Sequence, residues 1–288
     1  MSAATAEQIR KAEAFRALHF ASAPLVLVNA WDAASARIIE ELGFPAVATT
    51  SAGIAFSRGF PDGQKIHRDE MMNAVAQIVD SVSVPVTADA EAGYGDSPES
   101  AAETARRVMQ AGAVGMNFED ATSQPEQPLA DMSLQVERVL AIREAANQTG
   151  VPLVLNARTD VYLLQVGDPA TRYDETVKRL IAYRNAGADC VFAPGIRDAR
   201  TIGRLVNDLP CPLNVLAVPG SPSVSELNAL GVKRISLGSG PMRAAMGLLR
   251  KLANEVKTYG TYALMQDAPS HAEMNQLMSA KGKPAPGK

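Results

Sequence analysis

The chain has 288 residues, of which 47% are hydrophobic and 20% charged, and its net charge is -3. That length supplies a full core for one large domain or two small ones. Nothing is basic enough for a nucleic-acid partner, no block of like charge marks a membrane surface, and no apolar run nears the roughly 18 residues that span a bilayer. The polar start, Met1-Ser-Ala-Ala-Thr-Ala-Glu-Gln8, lacks the pattern of a secretory signal, so a cytoplasmic location is expected. Cys190 and Cys211 sit in apolar, strand-like surroundings and read as buried free thiols.

In chain order, Thr5–Leu18 reads as a leading amphipathic helix. Eight short β-branched or apolar runs follow: Leu25–Ala30, Ala46–Ser51, Val84–Ala90, Ala113–Asp120, Leu153–Asp160, Cys190–Gly195, Leu213–Val218 and Arg234–Ser239. Stretches with a period near 3.6 alternate with them: Ala33–Leu42, Arg68–Val82, Pro98–Ala111, Leu134–Gln148, Tyr173–Ala186, Ala199–Asp208, Ser223–Leu230 and Pro241–Lys257. Ser97-Pro98 reads as a helix start, and Gly43, Gly112, Gly150, Gly187 and Gly231 as helix stops. Eight β/α units point to an α/β fold, a (β/α)8 TIM-type barrel, with an extra N-terminal helix and a C-terminal helical segment, Tyr259–Met278. A doubly wound open sheet fits less well, because Asn29-Ala-Trp-Asp-Ala-Ala stands where its glycine-rich turn belongs. Residues 1–280 are read as one domain and 281–288 as a disordered tail.

In such a barrel the site lies at the C-terminal strand ends. Carboxylates appear there where the hydrophobic residues stop: Asp89 and Glu91 after the third run, Glu119 and Asp120 after the fourth. Unpaired acids are too costly for a core, so Asp89, Glu91 and Glu119 read as the wall of a hard-cation site for Mg²⁺ with retained waters. Arg158, after the fifth run, can grip a carboxylate through two parallel hydrogen bonds. Thr50, Ser51 and Ala52 can offer backbone amides to an anion, and Asn214 is a candidate substrate contact. A cation beside an anion clamp suits a 2-oxo or 2-hydroxy carboxylate and a developing enolate. His19, His67 and His271 are scattered, and none reads as a catalytic base.

The segments "TADAEAGYG", "NFED", "NARTD", "YRNAGAD" and "TTSAG…GFPDG" together resemble the isocitrate lyase/phosphoenolpyruvate mutase superfamily, in order from about Asn29 to Ala193. The resemblance implies a Mg²⁺-dependent enzyme, with Mn²⁺ as a substitute ion, that makes or breaks C–C or P–C bonds beside a 2-oxo acid. By position it implies Asp89 as the direct metal ligand, Glu91 as an acid acting through water and Glu119 as an outer acid. It makes Arg158 and Thr50, Ser51 and Ala52 substrate binders, Asp62 a loop aspartate near the reacting group, and Tyr94 the tyrosine of the Gly-Tyr-Gly turn. It also implies a homo-oligomer, typically a tetramer built as a dimer of dimers.

The departures narrow the activity. Isocitrate and methylisocitrate lyases carry a Lys-x-Cys-Gly-His loop after the fourth strand, where this chain reads Asp120-Ala-Thr-Ser-Gln-Pro-Glu-Gln-Pro-Leu-Ala-Asp131 without Cys, Lys or His. Ala193-Pro-Gly195 stands where those lyases place a Glu, so tricarboxylate cleavage is not expected. The phosphonomutase branch has Lys and Asn near Pro125 and Gln127. The expected activity is a Mg²⁺-dependent C–C lyase of a small 2-oxo or 2-hydroxy carboxylate, by decarboxylation or retro-aldol cleavage through an enolpyruvate-like species. A phosphonomutase or phosphonopyruvate hydrolase is one alternative, and a catalytically degenerate metabolite-binding barrel is another.

Overall fold

All strand candidates join one parallel sheet in the computed structural model, which describes residues 4–279. The strands are β1 (Leu25–Leu27), β2 (Asn29–Ala30), β3 (Val47–Thr49), β4 (Val86–Asp89), β5 (Gly115–Glu119), β6 (Val154–Arg158), β7 (Cys190–Phe192), β8 (Leu213–Leu216) and β9 (Arg234–Ser236). Their order is β1-β9-β8-β7-β6-β5-β4-β3-β2. The two ends of that sheet, β1 and β2, are consecutive pieces of one run interrupted at Val28, so the barrel closes through the first strand. This is the expected α/β TIM-type barrel.

The helices are α1 (Ala6–Leu18), α2 (Ala33–Glu41), α3 (Ser51–Ser57), α4 (Arg68–Ser81), α5 (Pro98–Gln110), α6 (Met132–Thr149), α7 (Arg172–Asn185), α8 (Ala199–Asp208), α9 (Val224–Ala229), α10 (Gly240–Tyr259) and α11 (His271–Ser279). Side-chain caps set most of their starts, though not those of α6, α7 and α10. Asp32 accepts from the Ser35 amide at 2.7 Å, while the Ser35 hydroxyl serves the Asp32 amide, a reciprocal cap on α2. Ser223 and Glu226 repeat the device on α9. Gly150 ends α6 at φ 76°, which only a residue without Cβ adopts cheaply.

α1 closes the floor of the barrel, but its buried residues are only Ala12 and Phe15, a narrower face than an amphipathic helix predicts. The Phe15 ring sits so close to Gly115 that a Cβ there would stand 2.7 Å from Phe15 Cε1 and 2.6 Å from Thr87 Oγ1. β5 therefore needs glycine at its first position.

Two local readings are corrected and a third is refined. Ser51 lies in α3, not at a strand end, because the Thr50 hydroxyl accepts from the Gly53 amide at 3.2 Å and starts a helix directly after β3. Cys211 lies before β8 and is half-buried, whereas Cys190 is fully buried, and both are free thiols. The segment Tyr259–Met278 is not one helix: it holds the end of α10, a 3-10 turn (Ala263–Met265) and α11. α11 returns onto α2, where Arg37 Nε and Nη2 donate to the Leu277 carbonyl at 3.1 and 2.9 Å. The tail at 281–288 falls outside the described residues.

Candidate active site

A cavity of about 270 Å³ opens at the C-terminal strand ends, bordered by Thr50, Ser51, Ala52, Asp62, Asp89, Arg158 and Asn214 among others. Thus most of the residues singled out from sequence face one space. Glu91, Tyr94 and Glu119 stand behind its wall rather than on it: Glu91 is bonded to the Tyr94 hydroxyl and the Gln64 amide, and Glu119 to Arg158.

Asp89 ends β4 and is held from two sides. Its Oδ2 accepts from the Ser51 amide at 3.0 Å and the Ser51 hydroxyl at 2.7 Å, and its Oδ1 accepts from Asn117 Nδ2 at 2.9 Å. The amide of Asp89 donates to the Thr49 hydroxyl at 2.9 Å. Asn117 is oriented in turn by Asn156, whose Nδ2 donates to Asn117 Oδ1 at 2.8 Å. Ser51, expected to face an anion, therefore serves Asp89, and Thr50 serves as the α3 cap. Of the three residues, Ala52 keeps an amide without a hydrogen bond to a described residue.

The turn after β4 is built on left-handed residues, Glu91 (φ 48°) and Tyr94 (φ 57°), and on Gln64 (φ 59°) in the facing loop. Non-glycine residues there carry strain that the surroundings must offset. Glu91 accepts from the Gln64 amide and, at 3.2 Å, from the Tyr94 hydroxyl, and the Gln64 side chain accepts from the Tyr94 amide. From below, Arg138 of α6 donates to the carbonyls of Ala92 and Gly95, the latter at 2.9 Å, and the Thr104 hydroxyl donates to the Gly93 carbonyl at 2.7 Å. Burial, reinforced by Asp89 and Asp62, pushes the Glu91 carboxyl up to about 7. Burial and the adjacent Glu91 push the Tyr94 phenol far above its usual range.

Arg158 ends β6 and makes a fork to Asp160, Nε–Oδ1 2.5 Å and Nη2–Oδ2 2.8 Å, while Nη1 stands 2.8 Å from Glu119 Oε2. Burial pushes the Glu119 carboxyl up, and Arg158 opposes it. The guanidinium also borders the cavity, so it serves the ion-pair wall and faces the ligand space. Asp62 lies on an exposed loop and turns its carboxylate to the Gly63 amide at 3.0 Å. Burial at the cavity edge, then the charge of Asp89, raises its pKa.

Asp120 is turned away from the cavity. It is fully buried, accepts from the hydroxyls of Thr159 and Tyr183 at 2.7 Å each, and pairs with Arg179. The loop after it folds on itself through the Ala121–Leu129 bridge and a Thr122 N–H to Pro128 carbonyl bond of 2.9 Å.

Among the described residues no three His, Cys, Asp or Glu side chains stand close enough to hold a metal together. The reading of three acids converging on one ion is corrected to that extent: Glu91 is engaged by Gln64 and Tyr94, and Glu119 by Arg158. What remains is a single half-buried carboxylate, Asp89, on the cavity with oxygen neighbours. That donor set fits an ion which keeps most of its water, as Mg²⁺ does.

Sequence reasoning did not find Asn117, Asn156, Arg138 and Arg234 as site residues. Asn117 sat inside the quoted "NFED" segment, and an amide in the middle of an apolar strand was the available signal.

The chain shares its fold with a Burkholderia cenocepacia structure described as a lyase/mutase, at 42% identity and a TM-score of 0.91, covering 96% of this chain and 99% of that one. An uncharacterized protein of Mycobacterium tuberculosis (strain H37Rv) is 36% identical over 232 residues, 81% of this chain and 84% of its own. Oxaloacetate decarboxylase of Rhodopseudomonas palustris is 28% identical over 255 residues, 85% of this chain and 84% of its own. The sequence profile of phosphoenolpyruvate phosphomutase matches residues 15–257, which include all nine strands, so the chain belongs to the phosphoenolpyruvate phosphomutase family, within the isocitrate lyase/phosphoenolpyruvate mutase superfamily.

Proposed function

We propose that this protein is a Mg²⁺-dependent carbon–carbon lyase of a small 2-oxo or 2-hydroxy carboxylate, with decarboxylation of an oxaloacetate-like acid as its first reaction and retro-aldol cleavage of a related acid as its second. The observation that carries the choice is the loop 121–131. It is closed on itself and holds no Cys, Lys or His, and its two carboxyls, Glu126 and Asp131, are exposed and do not border the cavity, so none of its side chains stands ready to serve a leaving group. Carbon dioxide leaves without such help. The oxaloacetate decarboxylase relative supports the same choice.

In this reading Asp89 would hold the ion directly, kept in place by Ser51 and Asn117, with Glu91 acting through water and Glu119 as an outer acid behind it. Mg²⁺ bound there supplies polarisation of the substrate's 2-oxygen. Arg158, fixed by Asp160 and Glu119, grips the carboxylate beside that oxygen, and the Ala52 amide adds a neutral donor. Asp62, on the loop above, is a proton donor to the product from the solvent side, and Tyr94 holds Glu91 in place.

Assays of oxaloacetate and phosphonopyruvate side by side, with and without Mg²⁺, test the proposal. Metal-dependent release of carbon dioxide from oxaloacetate is the expected result. Turnover of phosphonopyruvate alone makes the protein a P–C bond enzyme. If neither is consumed and Asp89→Ala leaves Mg²⁺ binding unchanged, the barrel binds metabolites without turning them over.

The family resemblance also supports a homo-oligomer. α10 and the turn after it leave Leu248, Leu249, Tyr259 and Tyr262 more than half exposed, an apolar strip suited to a second copy. A monomer in light scattering removes that reading. No described helix is long and apolar enough to cross a membrane.

A further inference from the structure

Below the mouth, the barrel is polar where such interiors are usually filled by branched apolar side chains. Alternate strands contribute each level of a (β/α)8 interior. Following the register from strand to strand, Asp89 and Arg158 share the level of the mouth, and Asn117 lies beneath them. Thr87, Asn156 and Asn214, from β4, β6 and β8, share the next level down, with Arg234 of β9 one level deeper. All four of these are buried. Each carries a polar atom with no partner: Thr87 Oγ1, Asn156 Oδ1, Asn214 Oδ1 and Arg234 Nε. Thr87, Asn214 and Arg234 border the cavity that opens at the mouth, so the two spaces are continuous.

The sign of these groups selects the occupant. Asn156 cannot be reversed, because Asp89 takes the Asn117 amide group and leaves Asn117 Oδ1 to accept from Asn156 Nδ2. Its free oxygen is therefore an acceptor that repels an anion. One buried donor, Arg234 Nε–H, and unpartnered acceptors on Thr87, Asn156 and Asn214 match the valence of water, which makes about three hydrogen bonds at buried sites. The charge on Arg234 is also left uncompensated at close range. Its Nη1 meets only His19 Nε2, at 3.3 Å, and His19 is neutral: Nδ1–H donates to the Phe15 carbonyl at 2.9 Å, and burial and Arg234 lower its pKa to about 4. The carboxylate whose charge reaches Arg234 is Asp89, at the mouth. A water beside a desolvated guanidinium is a better acid than bulk water, because the hydroxide it leaves is stabilised there.

We infer that the barrel interior binds a water cluster on Thr87, Asn156, Asn214 and Arg234, and that this water, positioned by Arg234, protonates the enolate released by the proposed carbon–carbon cleavage. The role rests on that proposed reaction. In the step a water O–H bond breaks. Its proton is taken by the electron pair of the enolate C=C bond to form the new C–H bond, and the enolate oxygen regains its C=O bond. The hydroxide stays on Arg234 Nε–H until solvent entering by the mouth returns a proton. Asp62 lies on the loop above and this water within the barrel, so a proton from Asp62 would arrive from the other side of the cavity; the water delivers the proton here, and Asp62 is the competing donor.

Two measurements on the full-length protein test this. A high-resolution crystal structure should show an ordered water on Arg234 Nε and at least one of the two free asparagine oxygens. A dry interior, or an inorganic anion in that place, overturns the inference. In the second, 3-methyl-oxaloacetate is turned over in D₂O and the deuterium at C3 of the 2-oxobutyrate formed is assigned to a face. Wild type should deuterate one face, Arg234→Met should lose that selectivity and Arg234→Lys should recover it. Thr87→Val, which removes an acceptor at almost constant volume, should also lose selectivity and serves if the arginine variant fails to fold. Retained selectivity in folded Arg234→Met or Thr87→Val, or its loss in Asp62→Asn instead, overturns the donor role. No turnover of the probe by wild type removes the role together with the proposed reaction, while the crystal structure still decides whether the water site exists.

Discussion

The two walls of the mouth are built on different terms. On the side of β4, β5 and β6, the acids are all engaged. Asp89 is held by Ser51 and Asn117, Glu91 by Gln64 and Tyr94, and Glu119 and Asp160 by Arg158. On the side of β7, β8 and β9 the cavity is bordered by Phe192, Pro194, Leu216 and Gly238, and buried polar atoms on Asn214 and Arg234 have no protein partner. The engaged wall is already organised before ligand arrives, which is what electrostatic stabilisation of a developing charge requires. The other wall leaves space and unmet hydrogen-bonding capacity.

The largest effect expected from this contrast is on the engaged wall. Asp89→Ala should lower kcat/KM for the true substrate by at least about a thousandfold, since it removes the proposed ion ligand and unties Ser51 and Asn117 together. Steady-state assays with Mg²⁺ in excess measure it, and a loss below tenfold would mean that the wall is structural only. Next comes Arg158→Lys. The charge stays, but the fork to Asp160 cannot form, and a misplaced clamp should cost on the order of a hundredfold in kcat/KM. If activity is retained, Arg158 serves its ion pairs and not the ligand.

The same contrast explains what was legible in the chain. Acids placed where apolar runs stop are a local signal, and Asp89, Asp62, Arg158 and Asn214 all border one cavity. Their supports come from elsewhere in the sequence. Arg138 lies in α6, far from the turn whose carbonyls it holds, and nothing local in α6 marks it. Arg234 follows Lys233 and reads as the solvated start of a strand, while the closed barrel turns it inward. α3 escaped notice because a short helix containing Gly53 continues an apolar run without a change of pattern. Helix and strand order was legible because many helix boundaries carry their own cap or glycine. Register was not, and register decides which strand interiors meet.

A smaller effect is expected behind the wall. Arg138→Met leaves the Ala92 and Gly95 carbonyls without their donor, and buried acceptors so stranded should destabilise the fold by about 2 kcal/mol. Urea unfolding reads this directly. A variant as stable as wild type would show that the left-handed turn at Glu91 and Tyr94 holds without support from α6.

The smallest effect is a pH dependence carried by Glu91. Its carboxyl titrates near 4.5 in the unfolded chain and at about 7 in the fold, because burial and the charges of Asp89 and Asp62 favour the protonated form. Between those two values the unfolded chain is ionised while the folded protein holds the proton. Proton binding by the fold therefore stabilises it fully below 4.5, and that stabilisation is lost as pH rises through about 7. In metal-free protein, wild type should lose about 1–2 kcal/mol across this window relative to Glu91→Gln, which has nothing to titrate. The comparison of the two proteins matters more than either curve, since the other acids titrate equally in both. Parallel unfolding midpoints at every pH would mean that Glu91 is already ionised in the fold, stabilised by the Gln64 amide and the Tyr94 hydroxyl more than burial opposes it.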